Sequence, residues 1–268
     1  VWAVQKMLTA LLPREPSQRF DTAVKLAAQL TQEDVDTCRA IGDMGCSLIA
    51  ERYQALRRPV NILTHCNAGW LATVDYGTAL APIYAAFERG TPLHVWVDET
   101  RPRNQGLLTA WELRQQGGPH TIIADNAGGQ LMQKGDVDLV IVGADRITRR
   151  GDVANKIGTY LKALAAFDND IPFFVAAPSS TIDWKLNDGK REIPIENRSA
   201  AEVLTVRGVD QTGHDASVQL APPDEAAVNP AFDVTHNRFV SGIITERGIF
   251  APTDLATRFQ DQIANAGL

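Results

Sequence analysis

From residue 60 onward, short apolar runs alternate with amphipathic stretches. The runs are "VNIL" (60–63), "LHVWV" (93–97), "HTIIA" (120–124), "DLVIVG" (138–143) and "PFFVAA" (172–177). Between them lie "GTALAPIYAAFERG", "TAWELRQQGG", "GGQLMQKG" and "ANKIGTYLKALAAFDN", each with helical periodicity. Strands buried on both faces read as continuous apolar runs, and their alternation with helices predicts a parallel sheet covered on both sides. Residues 207–229 are polar and rich in Gly, Asp and Pro, which predicts a loop or excursion. "RFVSGIITERGIF" (238–250) then predicts one last strand returning to the sheet.

The first sixty residues carry a different pattern. Val4, Met7, Leu8, Leu11 and Leu12 recur at helical spacing until Pro13 stops the run. Ser17 is a candidate cap for a second helix with Ala23, Val24, Leu26, Ala27 and Leu30 as its stripe. Thr31 and Asp34 suggest a capping box for a third helix containing Ile41, Met44, Leu48 and Ile49. Cys38 and Cys46 lie along it as small buried residues. The expected organisation is a helical N-terminal domain over 1–58, incomplete, and a Rossmann-like domain over 59–268. The fold class is thus α/β: a helical N-terminal segment, then a mostly parallel sheet with helices on both faces.

In such sheets ligands bind beyond the carboxyl ends of the strands, where the strand order reverses. The segments after the five runs are "THCNAG", "DETRPRNQG", "DNAGG", "ADRITRRGDVANK" and "APSST". All are polar and hold more ionisable and amide groups than connecting turns need. Cys66 is placed at a strand end before an expected helix, where N–H groups and the helix dipole would favour a thiolate. His65 beside it points the other way on extended chain and reads as a packing or orienting group. Asp145 follows an apolar strand; it is either a cap for the next helix or a general acid whose pKa an apolar pocket lifts. Asp98, Glu99, Arg101 and Arg103 suggest an internal salt-bridge network, with a direct substrate role for an arginine as the alternative. Gln105, Asn155 and Lys156 are polar members of the same loops, and Lys156 suits a phosphate.

Composition narrows the choices. Of 268 residues, 44% are hydrophobic and 22% charged, an ordinary globular balance. The net charge of −6 argues against nucleic acid as a partner, though not against a local basic pocket for a small anion. No apolar run reaches the roughly 20 residues of a membrane span. Three cysteines in no metal-like spacing point to a reducing cytoplasm. No G-x-G-x-x-G, P-loop or G-x-S-x-G motif occurs, and the five histidines are scattered, so neither a cofactor nor a metal is expected.

Taken together, the segments "ILTHCNAG", "LATVDYGTAL", "VDETRPRNQG", "LTAWEL", "VDLVIVGADRI", "GDVANKIGTY", "VAAPSSTID", "NPAFDVT" and "IITE" resemble the methylthioribose-1-phosphate isomerase family, in the family's order from residue 61 onward. The resemblance implies an aldose–ketose isomerase acting on 5-methylthioribose 1-phosphate in methionine salvage, as a cytoplasmic homodimer. It places the catalytic cysteine on Cys66, the catalytic aspartate on Asp145, and substrate-binding groups on Gln105, Asn155 and Lys156. Two rivals share the fold: an isomerase of ribose 1,5-bisphosphate, and a non-enzymatic regulatory subunit of a translation-initiation exchange factor. Cys66 and Asp145, both in their motifs, favour the enzyme. The stretch "QGLLTAWEL" is one residue shorter than the family's form. An upstream phosphate-binding motif (Arg-Gly-Ala-Pro-Ala) and a further arginine have no counterpart. The expectation is therefore a chain that begins partway through the first domain, binds phosphate weakly by itself, and leaves Leu8 and Leu12 exposed.

Overall fold

The computed structural model describes residues 2–222 and 224–265. Helix α1 (Trp2–Leu11) ends before Pro13, and α2 (Pro16–Leu56) runs unbroken for 41 residues. The expected second and third helices are thus one. Pro16 occupies its first turn and Glu15, not Ser17, stands at its N-cap. Thr31 starts nothing: its hydroxyl donates back to Ala27 O at 2.9 Å, which keeps it inside a continuous helix. Leu8 and Leu12 are exposed, as are Phe20 and Val24.

Strands β1 (Val60–Thr64), β2 (Leu93–Asp98), β3 (His120–Ile123) and β4 (Leu139–Val142) fall on the first four apolar runs. Helices α3 (Ala81–Glu88), α4 (Gly106–Gln115) and α5 (Ala127–Gln133) connect them. Next come β5 (Arg146–Thr148), β6 (Val153–Lys156), α6 (Thr159–Asp168), β7 (Phe173–Ala176), β8 (Ile182–Asp183) and α7 (Gly189–Glu192). The C-terminal part holds α8 (Ala201–Leu204), β9 (Thr205–Val209), β10 (Asp215–Gln219), β11 (Phe232–Thr235), β12 (Gly242–Thr245), β13 (Gly248–Phe250), α9 (Leu255–Arg258) and α10 (Gln260–Asn265).

The main sheet has the order β13-β12-β7-β4-β1-β2-β3 and is parallel except for β13. The chain winds outward from β1 to β3, then returns to the other side of β1 as β4. The switch point therefore lies between β1 and β4. Along both strands alternate residues enter opposite cores. Ile62, Leu139 and Ile141 face α2 and α3. Leu63, Val140 and Val142 face α6. In α2 the buried positions Cys38, Ile41, Gly42, Gly45, Cys46 and Ile49 form one stripe. Gly45 is required there, since a Cβ would stand 2.5 Å from Pro82 of α3. The second half of α2 thus packs into the same core as the sheet.

Three sequence readings need correction. "ANKIGTYLKALAAFDN" is not one helix: Asn155 and Lys156 belong to β6, and Gly158 at φ 103 breaks the chain before α6. Residues 207–229 contain most of a β9–β10 hairpin. The last strand folds back on itself as the β12–β13 pair, because Gly248 at φ 139 permits a turn there. A smaller sheet, β11-β6-β5-β8, stands beyond the carboxyl end of β4.

Candidate active site

Chain segments leaving β1 and β4 meet at the switch point. A Cβ at Gly143, just past β4, would lie 2.9 Å from Ala68 Cβ in the loop that carries Cys66. Cys66 sits in the left-handed region, φ 66, as do Thr100 (φ 64) and Asn104 (φ 56). Non-glycine residues in that region carry strain, which persists where the surroundings over-determine it. Those surroundings are explicit here. Cys66 N–H donates to Thr100 Oγ1 at 2.8 Å, and Thr109 Oγ1 donates to Cys66 O at 2.7 Å. Behind it, His65 donates from Nε2 to Ile157 O at 2.8 Å, and its Nδ1 lies 2.9 Å from Asp98 Oδ2. Lys162 Nζ is 3.0 Å from the same carboxylate oxygen. His65 is thus the orienting group expected of it.

Glu112, fully buried on α4, is the anchor that sequence reading missed. Its carboxylate accepts from Trp70 N (2.9 Å), Leu71 N (3.1 Å), Asn67 Nδ2 (2.8 Å) and Tyr84 OH (2.9 Å). The signal was present: Thr109, Ala110 and Leu113 mark the inward face of α4, and Glu112 is a charge on that face. Glu112→Gln removes a charged acceptor from four donors, so a loss of about 1–3 kcal/mol is expected, read as a lower urea midpoint.

No α-helix begins at Cys66, contrary to the sequence reading; a single 3-10 turn, Trp70–Ala72, follows and α3 starts only at Ala81. Burial pushes the thiol pKa up, against lowering by the Asn67 N–H bond and Lys156; Asp145 raises it further, and Arg198 opposes. The thiolate is therefore not favoured. Cys66 is nevertheless partly accessible, whereas Cys38 and Cys46 are buried, and burial lifts Cys38 to about 12. Brief iodoacetamide treatment followed by peptide mapping should modify Cys66 first. Earlier labelling of Cys38 or Cys46 would contradict this accessibility order.

Asp145 precedes β5, so it caps no helix. Its N–H donates to Ala154 O at 2.9 Å. The residue is exposed to solvent on one side. Protein on the remaining sides still raises its pKa, while Lys156 and Arg198 pull it down. Lys156 is 8% exposed, its Nζ 4.4 Å from the ring centre of Phe232 on the paired strand. Burial lowers its pKa; Cys66 and Asp145 raise it. Cys66, Asp145, Lys156 and Arg198 thus share one electrostatic field.

Gln105, Lys156 and Arg198 line one small depression. Asn155 is buried beside it, its Nδ2 donating to Thr159 Oγ1 at 3.0 Å. Asp233 fixes the following turn by accepting from Gly158 N (2.7 Å) and Tyr160 N (3.0 Å), and burial raises its pKa to about 6. The charges of "DETRPR" do not pair with one another. Asp98 pairs with His65 and Lys162. Arg101 donates to Val203 O and Thr205 O. Arg103 pairs with Glu202. Each is held by another element, because the strand end is wedged between α6 and the 198–205 segment.

His65, Asp98 and Asp125 are the one group among the described residues with metal-like proximity. Lys162 already neutralises Asp98, and Asp125 accepts from Thr100 N and Arg101 N. A further cation would meet an ammonium, so the trio reads as an internal ionic network. An open groove of about 1180 Å³ lined by Trp2, Thr37, Trp184 and Arg247 contains none of the five predicted site residues.

Comparison with known proteins now adds to this geometry. Residues 1–252 match the model of the initiation factor 2 subunit family. The methylthioribose-1-phosphate isomerase of Acidiphilium cryptum is 61% identical over 264 residues, 97% of this chain and 72% of that protein. That of Brucella anthropi is 60% identical, covering 94% of this chain and 70% of that protein. The crystal structure of 5-methylthioribose 1-phosphate isomerase from Pyrococcus horikoshii superposes with a TM-score of 0.83 at 40% identity, over 98% of this chain and 70% of that one. The translation initiation factor eIF-2B subunit delta from A. fulgidus superposes with a TM-score of 0.77 at 41% identity, over 94% of this chain and 69% of that one.

Proposed function

The chain belongs to the initiation factor 2 subunit family, and from that premise we propose that it is an aldose–ketose isomerase converting 5-methylthioribose 1-phosphate to 5-methylthioribulose 1-phosphate. The observation that carries this reading is the placement of Cys66 and Asp145 beyond the two strands that flank the switch point, beside the buried cation Lys156. A regulatory subunit needs no strained thiol that shares its electrostatic field with an aspartate and two cations. The test is to incubate the purified protein with the aldose phosphate and follow the ketose by NMR. Absence of ketose from a folded protein would overturn the assignment.

The chemistry follows from the substrate. Its anomeric oxygen carries phosphate, so the ring cannot open by losing a proton from a free hydroxyl. We assign Asp145 as the acid that protonates the ring oxygen, breaking the bond from C1 to that oxygen. Hydrogen then passes from C2 to C1, and the C2 hydroxyl proton returns to the Asp145 carboxylate. With Cys66 held as a neutral thiol, the favoured route is direct hydride migration, the thiol shaping and polarising the pocket. Gln105, Asn155 and Lys156 are assigned to substrate binding.

The finer readings are part of the same proposal. The reaction belongs to methionine salvage in the cytoplasm, with no nucleic-acid or membrane partner. In support, the chain is acidic, and no helix among the described residues is long and apolar enough to cross a membrane. A homodimer would cover Leu107, Leu108 and Trp111 of α4 and Ile122 of β3, all exposed. The proposed division is a helical segment over 1–58 and a catalytic domain over 59–268.

A further inference from the structure

We infer that Arg198 is a phosphate-binding residue of this site, acting with Lys156 and Gln105 on the phosphate monoester of the sugar substrate; the inference rests on the isomerase reading above. Arg198 lies in a polar segment that no sequence motif marked. Its backbone N–H donates to Asn229 O at 2.8 Å, which fixes it beside the strand extension leading to β11. Its guanidinium carbon lies 5.4 Å from the centre of the Phe232 ring, the same ring that receives Lys156. Two cations thus converge on one aromatic ring.

Neither cation has a buried ion partner among the described residues, and Asp145 reaches both only through its field. The Arg198 side chain is only 16% exposed, and its ion partner, Glu196 at 3.1 Å, is itself mostly exposed. Arg198 Nε is buried without a hydrogen-bond partner among the described residues. Lys156 makes no ion pair among them. Gln105 Oε1, in the same depression, is also buried and unpartnered. Buried polar groups left unpaired are costly, and several converging on one depression mark a place where a ligand completes the bonding. Paired cations call for an anion, and the substrate's one charged group is its phosphate. A guanidinium suits it, since its fork engages two oxygens together. The other arginines nearby are committed elsewhere: Arg101 to two carbonyls and Arg103 to Glu202.

The test compares the parent protein with Arg198→Met, Arg198→Lys and Glu196→Gln. Each is titrated calorimetrically with inorganic phosphate and assayed on 5-methylthioribose 1-phosphate. Arg198→Met should weaken phosphate binding roughly 10–100-fold, the loss expected of one charge-assisted contact, and raise KM by the same factor with kcat little changed. Arg198→Lys should recover most of that loss, and Glu196→Gln should bind phosphate at least as well as the parent. Unchanged phosphate affinity in Arg198→Met would overturn the inference, as would a fall in kcat at constant KM. Ribose 1,5-bisphosphate is assayed in parallel, and a KM effect confined to it would also overturn the assignment. A parent that forms no ketose yet binds phosphate through Arg198 would sink the isomerase reading while leaving this inference standing.

Discussion

Asp145→Asn is expected to lower kcat by roughly 10²–10⁴-fold, the range for losing one acid–base group. The amide keeps the shape and its place before β5, but it supplies no proton to the ring oxygen. Circular dichroism should be unchanged and inhibition by inorganic phosphate no weaker, because neither Lys156 nor Arg198 depends on Asp145 for its position and the amide removes a negative charge from their field. Near-normal kcat in this folded variant would remove Asp145 from the mechanism. The pH dependence has a definite sign. Burial raises the carboxyl pKa, so the acid form exists below that value and activity is lost as pH rises through it. In the free protein Lys156 and Arg198 pull the value down. A bound phosphate adds negative charge beside those cations and offsets the pull. The alkaline limb of kcat, which reports the complex, should therefore lie at higher pH than that of kcat/KM, which reports the free protein.

How far the sequence carried this picture depended on whether a residue's neighbours were local. The strands of the main sheet were legible because β1 and β4 are buried on both faces and so read as apolar runs. Cys66 and Asp145 were legible because the switch-point rule singles out strand ends. β6 was not, since its "VANK" mixes types and gains its strand character from β5 and β11, the latter nearly eighty residues away. Nor was Arg198, whose significance depends on Phe232 and Lys156 arriving from two other strands. The thiol's protonation was misjudged for a related reason. Position at a strand end suggested helix N–H groups around Cys66, whereas the fold supplies Thr100, Thr109 and a desolvating wall. A local pattern announces which groups are present; the sum of their fields appears only when distant segments close around them.

That desolvation leads to the second large expected effect, on the path of the hydrogen. Conversion in D2O should give ketose with no deuterium at C1 above background. For Cys66 to act as a base, the pocket must hold a thiolate and a protonated Asp145 at once. Both pKa values are raised by burial, and the thiol starts well above the carboxyl, so that pairing of states is always the minor one. The dominant state below the Asp145 pKa has both groups neutral. Hydride migration needs only that state, and it moves the C2 hydrogen to C1 without contact with solvent. Proton abstraction would instead deliver the hydrogen to sulfur, where exchange with solvent can occur before it returns to carbon. A shielded thiol could conceal such exchange, so the label is read together with the pH profile. On the hydride route kcat is flat and then falls as Asp145 ionises. On the thiolate route the required pair of states grows with pH up to the Asp145 pKa, stays level above it, and declines only beyond the raised thiol pKa. Deuterium at C1, or a kcat that rises with pH below the Asp145 pKa and stays level above it, would make Cys66 the base and require some further group to stabilise its thiolate, for which Lys156 is the foremost candidate among the cations whose charge reaches it.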